Sequence, residues 1–246
     1  MSIAKEQLDT FWSKGFSRFS SFANSEEVDA LIESLRTSLP IAEHRDMESI
    51  EIDRGQVSYV RGVQRFSPLI RSWLEGDRLR SLAQNLLGAP VRPFCVHFRA
   101  AVPSGSYQVF PHQDAKGPNF HPARAITFWL ALGNYDVENG CLRYVEGSHL
   151  RQYQPDAWGP LPNPDYDLDS EVTAPTKKGD LLAHHCFTLH RSTQNQGTTE
   201  RWALMFTYVQ EDVSMMSDDD EKWVSQYLYP GSKRAQPRPF KTLMEP

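Results

Sequence analysis

Up to residue 88 the apolar positions fall mostly at helical spacing, and beyond it they form alternating runs broken by turn residues. Residues 4 to 14 read as a short helix, and "GFSRFSSF" alternates in the manner of a strand. Asn24, with Glu27 three positions on, makes a capping-box signature ahead of Val28, Leu31, Ile32 and Leu35, which share a helix face. A charged segment, "AEHRDMESIEIDRGQ", runs into the strand-like "VSYVRGVQRF". The stretch "LIRSWLEGDRLRSLAQNLLG" reads as one further helix, ended by a glycine cap at Gly88. Then come "VRPFCVHFRAAVP", "SYQVFPHQD", "RAITFWLALG", "CLRYVEG", "GDLLAHHCFTLHRS" and "RWALMFTYVQ", β-rich runs separated by Gly, Pro and Asn. Helices followed by successive strands predict an α+β domain with a mainly β core, an antiparallel sandwich or barrel with core strands over about 90–210.

Two segments depart from this pattern. Residues 150 to 174 carry several prolines and aromatics without periodicity, the composition of a lid or binding loop, with an inert surface excursion as the alternative. The acidic run from Asp218 to Glu221 reads as a solvated turn or helix start rather than a metal site.

Composition narrows the class. The 246 residues contain no Gly/Ser-rich or low-complexity linker, so a single domain over 1–246 is expected. A formal net charge of -5 without a basic stripe argues against a nucleic-acid partner. Cys95, Cys141 and Cys186 are odd in number and widely spaced, which fits a reduced, cytoplasmic protein better than a disulfide framework. Neither a signal-peptide run nor a long uncharged stretch is visible, so no membrane association is expected.

The chemistry starts at "VFPHQDAKG". In an extended strand His112 and Asp114 point the same way and Gln113 the other. An imidazole and a carboxylate on one face are two donors of the two-histidine, one-carboxylate triad that holds non-haem iron, although the pair alone is also a common surface arrangement. Five histidines compete to be the third ligand: His121, His149, His184, His185 and His190. "NQGT" between two apolar runs reads as a hairpin loop at 195–198, which puts Ser192 opposite Arg201 and His190 opposite Ala203. Imidazole, hydroxyl and guanidinium then converge on one face, and a guanidinium there calls for a carboxylate partner.

The ordered set of His112-x-Asp114, "ENGCLRYVEGSH", "GD" at 179–180, His190-x-Ser192 and Arg201 resembles the phytanoyl-CoA dioxygenase family of Fe(II)- and 2-oxoglutarate-dependent oxygenases. The resemblance covers nearly all of residues 10 to 210. It implies a double-stranded β-helix of the jelly-roll or cupin kind, with N-terminal helices packed on one sheet. It also implies His112, Asp114 and His190 as iron ligands, with Arg201 and Ser192 holding the distal carboxylate of 2-oxoglutarate. Trp129 resembles a tryptophan that lines the cosubstrate pocket in family members, and Thr127 shares its face. The implied reaction consumes O2 and 2-oxoglutarate, yields succinate and CO2, and oxidises a small organic molecule. Glu146 stands where the family often has proline. Asp114 is retained where related halogenases have a small residue, which argues against halogenation.

The remaining candidates have structural readings beside functional ones. His149 suits a turn. His184, with the parity of His190, either lines the pocket or is buried and satisfied, while His185 faces away. His97 and Arg99 alternate together and either meet a polar substrate or pair structurally, and Cys186 reads as a buried filler. Two rival functions remain open at this stage, a cupin-type metal-dependent isomerase or hydrolase and a non-catalytic binding domain. The first has no evident need for Arg201 opposite Ser192, and the second should show no turnover even with the triad intact.

Overall fold

The computed structural model describes residues 3–45, 50–105, 108–115, 124–151, 153 and 170–213. Helix α1 (Lys5–Lys14) and strand β1 (Phe16–Phe19) lie where the pattern put them. Helix α2 (Ser25–Arg45) starts at the expected box: Asn24 Oδ1 accepts from the Glu27 amide at 2.9 Å, and Glu27 Oε2 accepts from the Asn24 amide at 2.9 Å. The charged segment that follows holds the end of α2 and strand β2 (Ile50–Asp53), which pairs with β3 (Gln56–Arg61) as a hairpin. The single helix expected after it is two, α3 (Pro68–Glu75) and α4 (Asp77–Leu87). Gly76, extended at φ -70 and ψ 158, breaks the run while serving as C-cap to one and N-cap to the other. Gly88 ends α4 at φ 68, as expected.

Strands β4 (Val91–Ala101), β5 (Val109–His112), β6 (Ala125–Ala131), β7 (Leu142–Val145), β8 (Glu171–Ala174), β9 (Leu181–His185), β10 (His190–Ser192) and β11 (Arg201–Gln210) complete the chain. They form a seven-stranded sheet in the order β1-β9-β6-β11-β4-β3-β2 and a four-stranded sheet in the order β5-β10-β7-β8. All the pairings are antiparallel, and the architecture is the double-stranded β-helix with helices on one face. Alternation divides the larger sheet's side chains between two environments. Val96, Phe98, Ile126, Phe128, Leu130, Leu181, Ala183, Leu204 and Phe206 pack with Leu31, Leu35, Ile70, Leu82 and Leu86 of the helices into the main core. Thr127, Trp129, Leu182, His184, Arg201, Ala203, Met205 and Thr207 lie on the other face by register, toward the smaller sheet. The helices therefore stiffen the sheet from behind and leave its inner face for chemistry.

Three expectations are corrected. "GDLLAHHCFTLHRS" is not one strand: β9 belongs to the large sheet and β10 to the small one, with a turn between them in which the Thr188 amide donates to His185 O. β10 and β11 do not form a hairpin. β10 pairs with β5 and β7, β11 pairs with β4 and β6, and residues 193–200 cross between sheets. The crossing is held against Gly140, whose φ of 83 suits glycine and where a Cβ would run into the Thr193 carbonyl oxygen. Of the aperiodic segment 150–174, residues 171–174 form β8, while 152 and 154–169 lie outside the described residues, as do His121 and the acidic run at 218–221. Among the described residues, no helix is long and apolar enough to cross a membrane.

Candidate metal centre

His112 ends β5 and His190 begins β10, and the two are direct cross-strand partners with ring centroids 4.2 Å apart. Asp114 lies past the end of β5, in a bend, so strand alternation is not what aims it at His112. Its Oδ1 nevertheless stands 3.6 Å from His112 Nε2 and 3.7 Å from His190 Nε2. These distances are too long for hydrogen bonds. Donors each about 2.1 Å from one ion stand roughly 3 to 3.6 Å apart, close to what is seen.

Tautomers sharpen the point. His112 Nδ1 lies 2.8 Å from Phe110 O, and His190 Nδ1 lies 2.9 Å from Thr188 O. A carbonyl only accepts, so both rings carry their proton on Nδ1 and present bare Nε2 lone pairs to the same point as Asp114 Oδ1. Burial and then the neighbouring imidazoles His112 and His184 hold His190 well below the ordinary histidine pKa, so it stays neutral. Burial raises the Asp114 carboxyl, yet it is held well below the usual carboxylate range, and with His190 neutral the hydrogen bond that His184 Nε2 makes to its other oxygen favours the charged form. Three lone pairs with no proton among them converge on one spot, an arrangement that repels itself until a cation enters. The three side chains form a group that could hold a metal ion.

The other oxygen of Asp114 is already engaged. Thr127 Oγ1 donates to Oδ2 at 2.7 Å, and His184 Nε2 lies 3.1 Å from it. Because the carboxylate is an acceptor only, His184 carries its proton on Nε2. Its Nδ1 then accepts from the Tyr144 hydroxyl at 3.0 Å, which burial and the Asp114 charge keep protonated. His184, 2% exposed, is thus a buried and satisfied histidine that orients a ligand. It meets His190 at 4.4 Å between ring centroids from the opposite sheet, not along a shared strand. Thr127, expected at the cosubstrate, bonds the aspartate. Tyr144 escaped the sequence reading because its role depends on the partnering of two sheets.

Arg201 occupies the inner face of β11 and is 4% exposed. Its guanidinium lies 4.6 Å over the Tyr135 ring, and its Nη1 donates to Asn139 Oδ1. Nε and Nη2 are buried without a hydrogen-bond partner. Those two nitrogens form one edge of the fork, the edge that takes a carboxylate in bidentate fashion. Trp129 packs edge-on against Tyr135, centroids 4.5 Å apart, and so walls the same recess. Ser192 shares the face of His190 but belongs to the small sheet, so the cross-strand route that joined it to Arg201 does not exist. Tyr135 and Asn139 sit in the β6–β7 connection and carry no periodic signal that could have marked them.

Other candidates resolve structurally. His149 Nε2 lies 3.0 Å from Trp12 O in a short 3-10 turn, and Asp180 of the "GD" pair accepts the amides of Ser21 and Lys177, each at 2.9 Å. Burial pushes the Cys186 thiol up to about 12, which leaves it an inert filler.

The profile of the phytanoyl-CoA dioxygenase family matches residues 11–203. Phytanoyl-CoA dioxygenase of Arabidopsis thaliana is 24% identical over 275 residues, covering 93% of this chain and 96% of that protein. Phytanoyl-CoA dioxygenase domain-containing protein 1 of Danio rerio is 32% identical over 48% of this chain and 44% of its own length, and this chain spans about half the length of several such relatives. Among solved structures, the non-haem α-ketoglutarate-dependent carbocyclase SnoK of nogalamycin biosynthesis superposes with a TM-score of 0.79 at 25% identity, covering 96% of this chain and 95% of SnoK. EctD from S. alaskensis with 2-oxoglutarate and 5-hydroxyectoine has the same fold, with a TM-score of 0.78 at 18% identity over 97% of this chain and 82% of EctD.

Proposed function

This chain belongs to the phytanoyl-CoA dioxygenase family of Fe(II)- and 2-oxoglutarate-dependent oxygenases, and we propose that it hydroxylates a small organic metabolite within a single catalytic domain. The observation that carries this reading is the meeting of the bare Nε2 atoms of His112 and His190 with Asp114 Oδ1. The donor set of two imidazoles and one carboxylate suits Fe(II) with positions left open. Bound there, the ion supplies the redox chemistry with 2-oxoglutarate and O2, releasing succinate and CO2.

The chain's own residues supply position and charge. His112, Asp114 and His190 hold the ion, and Thr127 and His184 reserve Oδ2, so that the carboxylate ligates through one oxygen. The unpartnered edge of Arg201 takes the distal carboxylate of 2-oxoglutarate, with Trp129 and Tyr135 as apolar walls and Ser192 reaching in from the small sheet. A guanidinium buried with two unsatisfied nitrogens is costly unless an anion joins it, which favours the oxygenase over a bare cupin-type isomerase or hydrolase. SnoK belongs to nogalamycin biosynthesis, and we read this chain as a cytoplasmic enzyme of secondary metabolism, a setting that its three buried free cysteines suit.

Succinate release from 2-oxoglutarate with added Fe(II) under air tests the reading, together with calorimetric binding of the cosubstrate. His112→Ala, Asp114→Ala and His190→Ala should each lose turnover, and retention of near wild-type turnover would remove that residue from the triad. Arg201→Ala should keep the metal yet weaken 2-oxoglutarate roughly 30- to several-thousand-fold, the scale of about 2–5 kcal/mol for a desolvated charge pair. Arg201→Lys should restore only part of it, since a point charge replaces a fork. Unchanged cosubstrate affinity in Arg201→Ala would favour the isomerase or hydrolase.

A further inference from the structure

Two contacts hold the Arg201 guanidinium from different directions. The Tyr135 ring lies 4.6 Å from it and sets its plane, and Asn139 Oδ1 accepts from Nη1 and sets its rotation within that plane. Asn139 takes the corner opposite the side edge. Nε and Nη2, both buried without a hydrogen-bond partner, therefore stay together as one free fork.

Asn139 is itself fixed, and its amide cannot be turned round. Its Oδ1 also accepts from the Asp136 amide at 2.7 Å, its Nδ2 donates to Asn134 O at 3.2 Å, and its backbone amide donates to Asp136 Oδ1 at 2.8 Å. Reversal would set an NH2 group against the Asp136 N–H and the guanidinium, donors facing donors. This box in the β6–β7 connection is docked on the crossing that delivers Arg201. There the Gln196 amide donates to Glu138 O at 3.1 Å, and a Cβ on Gly197 would lie 3.4 Å from Asn139 Cβ. Charge matters as well as place. An amide oxygen aims a guanidinium without neutralising it, whereas a carboxylate at 139 would pair with it and compete with an incoming anion.

We propose that Asn139 is a positioning residue for the cosubstrate: its neutral amide oxygen aims the Nε–Nη2 edge of Arg201 at the distal carboxylate of 2-oxoglutarate and leaves the charge free to meet it. The proposal rests on the oxygenase reading, because it concerns the same arginine. It carries a consequence for selectivity. A fork fixed in place meets a carboxylate at one reach, so a 2-oxo diacid one methylene longer fits worse, whereas a fork free to swing accepts both.

The test is calorimetry on the Zn(II)-loaded protein, which cannot turn over, with 2-oxoglutarate and the longer 2-oxoadipate as probes. Wild type should prefer 2-oxoglutarate. Asn139→Ala should bind it roughly tenfold more weakly, the scale of one charge-assisted hydrogen bond, and should lose much of the preference while keeping its Zn(II) affinity. Asn139→Asp keeps an acceptor but spends the charge, so both diacids should weaken with the preference retained. Asp136→Ala loosens the same box and removes a negative charge near Arg201, so it should not weaken 2-oxoglutarate. The last two variants decide the matter even where Asn139→Ala does not fold. Four results overturn the proposal: unchanged 2-oxoglutarate affinity in Asn139→Ala, a preference absent from wild type or intact in Asn139→Ala, wild-type affinity in Asn139→Asp, or a loss in Asp136→Ala as large as in Asn139→Ala. A wild-type protein that binds no 2-oxoglutarate sinks the oxygenase reading as well, whereas one that binds it while the Asn139 variants match it sinks only the role of Asn139.

Discussion

Asp114 divides its work between two oxygens. Oδ1 faces the imidazoles, and Oδ2 is held by Thr127 at 2.7 Å and by His184 at 3.1 Å, with Tyr144 behind. Removing either holder frees the carboxylate to rotate or to bind through both oxygens, which would consume an open position. Thr127→Val and His184→Leu should each weaken metal affinity by about 10- to 100-fold, the usual cost of losing such a partner. Chelator competition with Mn(II) or Zn(II) measures this without turnover, and unchanged affinity in both variants would mean that Asp114 is oriented by its backbone alone. The sequence shows His112, Asp114, His190 and Arg201 because each belongs to a short motif of chemically telling residues. It does not show what Asp114 leans on, since Thr127, His184 and Tyr144 sit on three strands of two sheets.

At the level of elements, alternation and capping hold where the signal lies inside one element, though not at Asp114, which lies past the end of β5. The box at Asn24 and Glu27 is formed on both sides, and Asn24→Ala should lower stability by about 1 kcal/mol. Chemical denaturation would register that as a lower midpoint at unchanged slope, and an unaltered midpoint would show that tertiary packing alone holds the start of α2. Local signals fail where a neighbour decides. Alternation in "GDLLAHHCFTLHRS" continues across the turn between β9 and β10, yet period alone does not say that the two halves join different sheets. The expected pairing of Ser192 with Arg201 failed for the same reason, while its conclusion, a guanidinium wanting a carboxylate, stands on the bare Nε and Nη2. Gly76 marked a break that the apolar periodicity of the flanking turns concealed.

On the scale of the molecule, the helix layer and the β core are joined through a buried titratable seam, and acid should open it. His185 points from β9 toward α1, where its ring meets Phe11 at 6.4 Å, Trp12 at 6.1 Å and His149 at 5.8 Å between centroids, and its Nδ1 accepts from the Phe187 amide at 3.1 Å. Burial first, then the nearby His149 and His184, pushes its pKa down to about 3. An unfolded chain protonates the same ring near pH 6.5, so between about pH 6.5 and 3 the unfolded state binds a proton that the folded state refuses. Stability is whole above that window and falls as pH drops through it, by up to about 1.4 kcal/mol per pH unit from this residue. The partly exposed His97, also depressed to about 3, adds a smaller slope of the same sign. Urea titrations of the metal-free protein over a series of pH values should show this decline, and His185→Gln, which keeps an acceptor for the Phe187 amide but cannot titrate, should flatten it. An equal slope in wild type and His185→Gln would place the acid sensitivity elsewhere, and a steeper one would mean that the glutamine, not the proton, had loosened the seam between α1 and the large sheet.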